Sequence, residues 1–410
     1  MAALPTSLSD LPNELVDLVG SYAQPTDLLN LRLTNKDIAA KTLRVMTPKC
    51  FGELHIMVAF PHSLKRAAAV ASHAYLGRHI HSVTVHLDAP FEHPDIQWRT
   101  DGLGAWSTAN DASEIKRLQG VHEEWRRAAE ELACTTADQR SLTAIFRALS
   151  RRNRPISLCL RSGVSGQHIM KGQAPADYRT LASVAPTNIR LALAPREQCD
   201  GYLSSILTTA RKSNIRLCSL DILGSSHAWF GAPISLFSGV IGSANFRPTL
   251  QPLKVMKLYI PSVWNRQDDQ DMVTDQGLST VVSFLEGSVP NLAVLELSGG
   301  FDPGNIESSP LSRLVGHMIQ HLRIPHLQSL RLKNARIRSS AELIGFLERH
   351  GSTLESYHFD SVWCEDLEEG DDWSPQSAVD EWAARLQNLG VVARMDGEPA
   401  LPEWTFIHLV

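Results

Sequence analysis

LCSLDI, at residues 217–222, opens a pattern of spaced apolar residues that returns four times before the C-terminus. The later copies are VMKLYI at 255–260, LAVLEL at 292–297, LQSLRL at 327–332 and LESYHF at 354–359. Weaker copies are found at 80–85, at 156–160 and around 191–193. Apolar and polar residues alternate at the end of each copy, which is typical of a strand with one buried face. The pattern therefore predicts a series of half-buried β-strands.

Helical patterns fill the intervals between the later strands. They cover residues 278–285, 311–322 and 341–347. Strand followed by helix, several times over, predicts an α/β fold of the leucine-rich-repeat-like type, in which parallel strands line a concave face and helices cover the convex side. The intervals of 38, 37, 35 and 27 residues between positions 220, 258, 295, 330 and 357 make the repeat irregular. An ordinary α/β domain with a few similar strands is the alternative.

Polar residues alternate with the apolar ones in these strands, and we expect them to face the concave side. A substrate-binding surface is the functional interpretation, and a merely solvated face is the alternative for each residue. The candidates are Asp221, Lys257, Tyr259, Glu296, Arg331, Lys333 and His358.

Residues 8–56 predict three short helices. Pro12 suits the first turn of the first helix, where its missing N–H costs nothing. Thr26 is placed to cap the second helix, and Thr34 with Asp37 resembles a capping box for the third. The first helix carries one apolar stripe at helical spacing. Its members are Leu15, Leu18, Val19 and Tyr22.

A segment of this size cannot bury all of its leucines by itself, because about 40 residues rarely support an independent core. The leucines either pack on the rest of the chain or form a docking surface for another protein.

Three runs in this segment resemble an F-box of the fungal type. They are LPNEL at 11–15, DLLNLRLTNK at 27–36 and the strand-like FGELHI at 51–56. The Leu-Pro pair, the Asp-Leu pair and the Leu-Arg-Leu run occur in the expected order and at the expected separation. The resemblance covers about an eighth of the chain. It implies that residues 8–50 form the box and bind the Skp adaptor of a cullin-based (SCF) ubiquitin ligase.

By the same resemblance, the remainder of the chain recruits a protein substrate. Residues 51–155 are predicted to form linker strands and a helical pair, and residues 156–410 a leucine-rich-repeat-like substrate-recognition domain. The resemblance implies a set of adaptor-binding residues. They are Leu11, Pro12, Leu15, Leu18, Leu28, Leu31 and Arg32.

Two regions outside the repeats also carry local signals. Residues 111–132 and 136–149 predict the helical pair, the second with a capping box formed by Thr136 and Gln139. After an acidic run at 365–372, Ser374 and Pro375 are placed to begin a helix. Residues 391–393 and 404–409 predict a strand pair that seals the end of the repeats.

Composition narrows the classes of partner. A net charge of −5 gives no reason to expect binding to nucleic acid or to an anionic membrane. The six cysteines form no CxxC pair, which argues against a zinc module and a secreted disulfide framework. The N-terminus lacks a signal-peptide pattern, and no apolar run approaches the ~20 residues that span a bilayer. We expect a cytoplasmic or nuclear protein.

No motif in the sequence predicts catalysis, a cofactor or a metal. Phosphate-binding, dinucleotide-binding, metalloprotease and serine-hydrolase motifs do not occur. His317 and His321 have the spacing of two metal ligands on one helix face, but HExxH requires a glutamate that this pair lacks. The expected function is that of a non-catalytic substrate receptor in ubiquitin-dependent protein degradation. A protein-interaction scaffold outside any ligase is the alternative, and an enzyme would require a pocket with clustered titratable groups.

Overall fold

A computed structural model of the chain describes residues 11–87, 136–161, 196–224, 231–261, 274–299 and 309–364, with a few positions between 120 and 131. The predicted helices at 111–132 and after Ser374, the strand-like residues 191–193, the acidic run and the C-terminal strand pair lie outside the described residues, apart from those few positions. Within the described residues, no helix combines the length and the apolarity needed to cross a bilayer.

The N-terminal segment forms three helices, α1 (Asn13–Tyr22), α2 (Pro25–Thr34) and α3 (Lys36–Phe51). The predicted caps differ from those observed. Gln24, not Thr26, precedes α2, because Pro25 occupies its first turn. Asn35, not Thr34, caps α3, and its side chain accepts a hydrogen bond from the Asp37 N–H at 2.8 Å. Asparagine one residue later satisfies the same free N–H groups that the predicted capping box would have served.

Two lysines of α3 hold α1 in place. Lys41 Nζ donates to the carbonyl oxygen of Leu11 at 2.8 Å, just before α1 begins. Lys49 Nζ donates to the carbonyl oxygens of Gly20 at 3.1 Å and Ala23 at 3.0 Å, and also to that of Ser21. The last carbonyls of a helix have no partner within the helix and attract a cation. Lys49 therefore completes the C-terminal end of α1 and fixes it to α3.

Eight strands form one parallel sheet in which each strand pairs with the one before it in the chain. They are β1 (Glu53–Met57), β2 (Ser82–His86), β3 (Ile156–Arg161), β4 (Leu217–Leu223), β5 (Val255–Ile260), β6 (Val294–Gly299), β7 (Ser329–Ile337) and β8 (Ser356–Cys364). The predicted strands at 51–56, 80–85, 156–160 and in the five stronger copies are confirmed. The sheet continues across the predicted domain boundary at residue 156, since β2 pairs with β3.

Helices fill the connections between the strands, as parallel pairing requires. They are α4 (Pro61–Ser72), α5 (Ala137–Ser150), α6 (Arg196–Lys212), α7 (Asp275–Gly287), α8 (Pro310–His321) and α9 (Ser340–Arg349). One-turn helices Ser235–Ser238 and Arg247–Leu250 and 3₁₀ turns Gly77–His79 and Ala244–Phe246 complete the connections. The α/β class and the helices predicted between the later strands are confirmed. The Thr136 capping box is wrong, because Thr136 has a left-handed φ of 51° and its side chain caps nothing.

Two apolar rows run across all eight strands and face the helices. The first consists of Leu54, Val83, Leu158, Leu220, Met256, Leu295, Leu330 and Tyr357. The second consists of Ile56, Val85, Leu160, Ile222, Leu258, Leu297, Leu332 and Phe359. Apart from the half-buried Phe359 these side chains are buried, and they belong to one continuous core with the helices.

The register corrects one copy of the sequence pattern. Leu220 pairs with Met256, and Ile222 with Leu258, so the copy in β5 begins at Leu253 rather than at Val255. The sequence alignment was wrong by two residues there. A slip of two leaves each side chain on its correct face, because side chains alternate along a strand with a period of two.

A buried histidine joins the end of α9 to the loop before β7. His350 is 4 % exposed. Its Nε2 accepts the Ile324 N–H at 3.1 Å, and its Nδ1 lies 2.9 Å from the Phe346 carbonyl oxygen, to which it donates. Burial is the largest cause that lowers the pKa of His350 below its usual 6.5. Nε2 must stay unprotonated to accept, so the folded protein holds the neutral imidazole.

We predict that His350 makes the protein less stable in mild acid. The unfolded chain takes up a proton as the pH falls below the ordinary histidine pKa, whereas the folded chain does not until the lowered pKa is reached, so this contribution is lost in that interval. Urea unfolding at about pH 7.5 and about pH 5.5 should show a larger loss for wild type than for His350→Gln. Equal losses in the two proteins would contradict the assignment.

Candidate interaction surfaces

The apolar stripe of α1 faces solvent. Leu15, Leu18, Val19 and Tyr22 are 46 %, 54 %, 49 % and 82 % exposed. The opposite side of the helix is packed, since Val16 is 2 % exposed and Gly20 is buried. A Cβ on Gly20 would lie 3.2 Å from Cγ1 of Val45, which shows how closely α1 approaches α3. If these residues dock on another protein, their apolar stripe must face solvent, and on α1 it does.

The other residues assigned to adaptor binding differ in their exposure. Pro12 is exposed, and Leu11 and Leu31 are half-buried. Leu28 has no exposed surface and lies in the three-helix core, where its Cδ2 would be 3.5 Å from a Cβ on Gly20. Leu28 therefore cannot contact a partner in this conformation, because its place on α2 points it at α1.

Arg32 is half-buried and packs within the three helices. Its Nη1 lies 2.9 Å from Sδ of Met46 on α3. The two roles expected of Arg32 are a polar rim contact with a partner and a local salt bridge. Its observed contact is with the methionine sulfur, and among the described residues it forms no salt bridge.

We predict opposite stability effects on the two sides of this unit. Leu15→Gln with Leu18→Gln should change the free energy of unfolding by less than about 0.5 kcal/mol per site, since both side chains are exposed. Leu28→Ala should cost about 2–5 kcal/mol through lost burial and a cavity. Hydrogen exchange of the α1 and α3 amides would measure both. Comparable losses would show that the α1 stripe is packed in solution.

The second candidate surface is the polar face of the sheet. One row of side chains crosses it at the same height on every strand. The row consists of His55, Thr84, Cys159, Asp221, Lys257, Glu296, Arg331 and His358. The structure thus brings five of the seven predicted substrate-binding residues into one line. Lys333 lies in the next row, beside Ser298 and Asp360.

Charges alternate in sign along the centre of this row. Lys257 Nζ lies 3.4 Å from Glu296 Oε2, and in the next row Lys333 Nζ lies 2.6 Å from Asp360 Oδ2. Asp221 accepts from Ser219 Oγ at 2.7 Å, and burial is the largest cause that raises its pKa. Opposite charges on adjacent strands stabilise their pairing modestly and leave the face close to electroneutral.

Tyr259 does not belong to the exposed part of this surface. It is 7 % exposed, and its burial raises the pKa of the phenol. The segment at Gly231 and Ala232 lies against it, with the Ala232 N–H donating to the Tyr259 carbonyl oxygen at 2.7 Å. A Cβ on Gly231 would come within 3.0 Å of Tyr259 Cδ1, so only glycine fits there without a shift. Alternation within β5 could not reveal this covering segment.

The row also includes polar residues of β1, β2 and β3 that the sequence analysis did not nominate. His55 Nε2 lies 3.2 Å from Glu53 Oε1, and His55 Nδ1 lies 3.2 Å from His86 Nε2. Thr84 Oγ1 donates to Glu53 Oε1 at 2.8 Å. Cys159 stands next in the row, and burial raises the pKa of its thiol to about 11. The weaker copies of the strand pattern were the signal that could have identified these residues.

We predict that Cys159 resists alkylation in the folded protein. A pKa raised to about 11 from 9.0 leaves about 100-fold less thiolate near pH 8, and the thiolate is the reactive form. Peptide mapping by mass spectrometry after iodoacetamide treatment should show slow modification of Cys159 in native protein and rapid modification in urea. Equal rates in both states would refute the assignment.

The histidine pair on α8 forms a smaller cluster at the helical side. His317 and His321 have ring centroids 4.6 Å apart, and His317 Nε2 lies 3.2 Å from Ser279 Oγ on α7. Arg313 lies one turn earlier on α8, and its Nη2 lies 3.6 Å from Asp275 Oδ1, so these two charges offset each other beside the histidine pair. Among the residues that the structure describes, no three His, Cys, Asp or Glu side chains form a set that could hold a metal ion.

In comparisons with known proteins, no protein-family model and no curated protein matches this sequence.

Proposed function

We propose that the protein is a substrate-recognition subunit of an SCF-type ubiquitin ligase. Residues 8–50 act as an F-box that docks on the Skp adaptor and, through it, on a cullin. The strand–helix repeats act as an irregular leucine-rich-repeat-like solenoid that binds a protein substrate. The chain itself performs no covalent chemistry. It raises the effective concentration of substrate lysines near the conjugating enzyme.

The distribution of exposed apolar side chains supports this proposal most strongly. In the described part of the chain, the large hydrophobic residues that stand exposed are Leu15, Leu18, Val19, Tyr22 and Leu33, all on α1 and α2. Contiguous exposed apolar residues mark interaction sites, and each Leu buried there contributes about 1.5–3 kcal/mol. The exposed stripe lies inside the segment that resembles an F-box.

The order of the strands supports the solenoid part of the proposal. Each strand neighbours only its predecessor and successor in the chain, which is the arrangement of a stacked repeat. Such a stack presents one long strand face on the side opposite the helices, although Thr84 and Tyr259 on that face are buried. Lys257, Glu296, Arg331, Lys333 and His358 would contact the substrate there, while Asp221 is partly desolvated and Tyr259 is covered by the segment at Gly231 and Ala232.

Co-purification with a fungal Skp adaptor and cullin tests the docking half. The double variant Leu15→Gln, Leu18→Gln should lose both partners, because these exposed apolar side chains would make the contact with the adaptor and do not belong to the core of the fold. Leu11→Ala with Pro12→Ala should lose them as well. Lys65→Gln is the control, since Lys65 is an exposed residue of α4 outside residues 8–50, and this variant should retain both partners.

The outcomes separate the proposed functions. Loss of adaptor and cullin in the α1 variants alone supports a ligase receptor. If the chain binds the adaptor but the complex never contains cullin, the protein is a protein-interaction scaffold and not a ligase receptor. If wild type binds no adaptor, the exposed stripe serves another partner and the ligase proposal is wrong.

A further inference from the structure

Four neighbouring loops at one edge of the sheet carry many cations and no acidic residue. The loops lead into β2, β3, β4 and β5, so parallel pairing places them side by side. Together with the ends of the helices before them, they cover residues 71–82, 147–157, 209–219 and 247–255, which contain no Asp or Glu. The chain as a whole has a net charge of −5, so this edge differs in sign from the rest of the molecule.

Most of these cations are exposed, and six of them have no ion-pair partner among the residues that the structure describes. The exposed ones include Arg151, Arg154, Lys212, Arg216, Arg247 and Lys254. None of these six makes an ion pair with a carboxylate in the described parts of the chain. Glu53, at the start of β1, and Glu286, near the end of α7, flank the four loops on either side. His55 and Thr84 contact Glu53, and Glu286 accepts the Arg323 N–H at 2.8 Å.

Direct contacts show that the loops form one surface, which we call the basic edge. Arg152 Nη2 donates to the Ala71 carbonyl oxygen at 2.8 Å, joining the first two loops. Ser150 Oγ donates to the Asn214 carbonyl oxygen at 3.0 Å, joining the second and third. Arg211 Nη1 lies 3.3 Å from Ser243 Oγ, near the fourth.

Three cations lie just before three successive strands of this edge. Arg154 lies two residues before β3, while Arg216 and Lys254 each lie one residue before the next two strands. The Ile156 N–H donates to the Arg216 carbonyl oxygen at 2.9 Å, and the Lys254 N–H donates to that of Cys218 at 2.9 Å. Neighbouring strands are about 4.8 Å apart. The register sets Lys254 beside Cys218, two residues beyond Arg216, so the three cations form a staggered series across the three strand starts.

Helix dipoles do not account for these residues. Cations stabilise the last turn of a helix, and this explains Arg147, Arg211 and Lys212. Arg154 and Arg216 each lie four residues beyond the end of the preceding helix, where the effect has fallen away. Like charges on neighbouring loops repel, so their accumulation with no carboxylate paired to them in the described parts of the chain favours an anionic ligand.

We propose that the basic edge binds an acidic polypeptide segment of a partner protein. The patch extends over four strand starts, about 15 Å, which matches roughly five residues of an extended chain. Arginine predominates, and its guanidinium pairs with carboxylates in bidentate geometry. A segment this short meets only the basic edge, whereas a long nucleic acid or a membrane surface would also meet the negatively charged remainder of the molecule.

The site is separate from both surfaces of the proposed function. It is formed by the loops before β2 to β5, whereas the stripe belongs to α1 and the polar row runs across the strand faces. The inference therefore holds whether or not α1 binds an adaptor.

Fluorescence anisotropy with labelled octaglutamate and the full chain tests the proposal. Binding should be measurable at about 50 mM salt and at least about tenfold weaker at about 300 mM, because exposed charges are screened. The variant Arg154→Glu, Arg216→Glu, Lys254→Glu should weaken binding by about tenfold or more, since like charges then face the ligand. A second set, Arg151→Glu, Lys212→Glu, Arg247→Glu, serves if the first unfolds.

The control variant Lys36→Glu, Lys65→Glu, Arg338→Glu changes the net charge equally at exposed positions elsewhere. It should weaken binding by less than about threefold. Equal losses in control and edge variants would reduce the effect to bulk charge and overturn the site. No binding at low salt would also overturn it. Tighter binding of a single-stranded oligonucleotide or of phosphatidylserine vesicles than of octaglutamate would assign the edge to that class instead.

Discussion

Burial of two apolar rows between the sheet and its helices is the constraint on which the structure depends. Parallel strands cannot be joined by tight turns, so each connection must cross over and return to the same edge. In this chain the connections carry helices, and the helices cover the face on which Leu220, Met256, Leu295 and Leu330 stand in line. Because a strand has only two faces, the polar residues between them are left together on the other side.

The same constraint produces the three surfaces that remain. The strand face holds an alternating row of charges that neutralise one another, so it offers shape and hydrogen bonds more than net charge. The cations of the loops before β2, β3, β4 and β5 lie together, because all loops that lead into the strands of a parallel sheet lie at the same edge. The three N-terminal helices precede the sheet, and α1 packs on α3 through the side that carries Val16 and Gly20, which leaves its leucines in solvent.

Features that depend on local alternation of apolar and polar residues could be predicted from the sequence. Features that depend on contacts with residues distant in the chain could not. The strands of the repeat were predicted because alternation within six residues is local. The copy in β5 was placed two residues late, since Val255 and Leu253 fit the same pattern and only pairing with β4 distinguishes them. Leu28 and Tyr259 were assigned to surfaces although both are buried. Their exposure depends on Gly20 and Gly231, residues from other segments whose approach no local pattern encodes.

The sequence by itself determined the α/β class, the order of strands and helices and the identity of the apolar stripes, because these follow from hydrophobic periodicity along the chain. Only the tertiary structure decided which stripe is inside. The stripe of α1 has the spacing of a buried face, yet it is exposed, because α3 holds the opposite side through Lys41 and Lys49. Only the fold, likewise, shows that four loops without acidic residues meet at one edge, since parallel pairing brings together charges that lie up to about 180 residues apart in the chain.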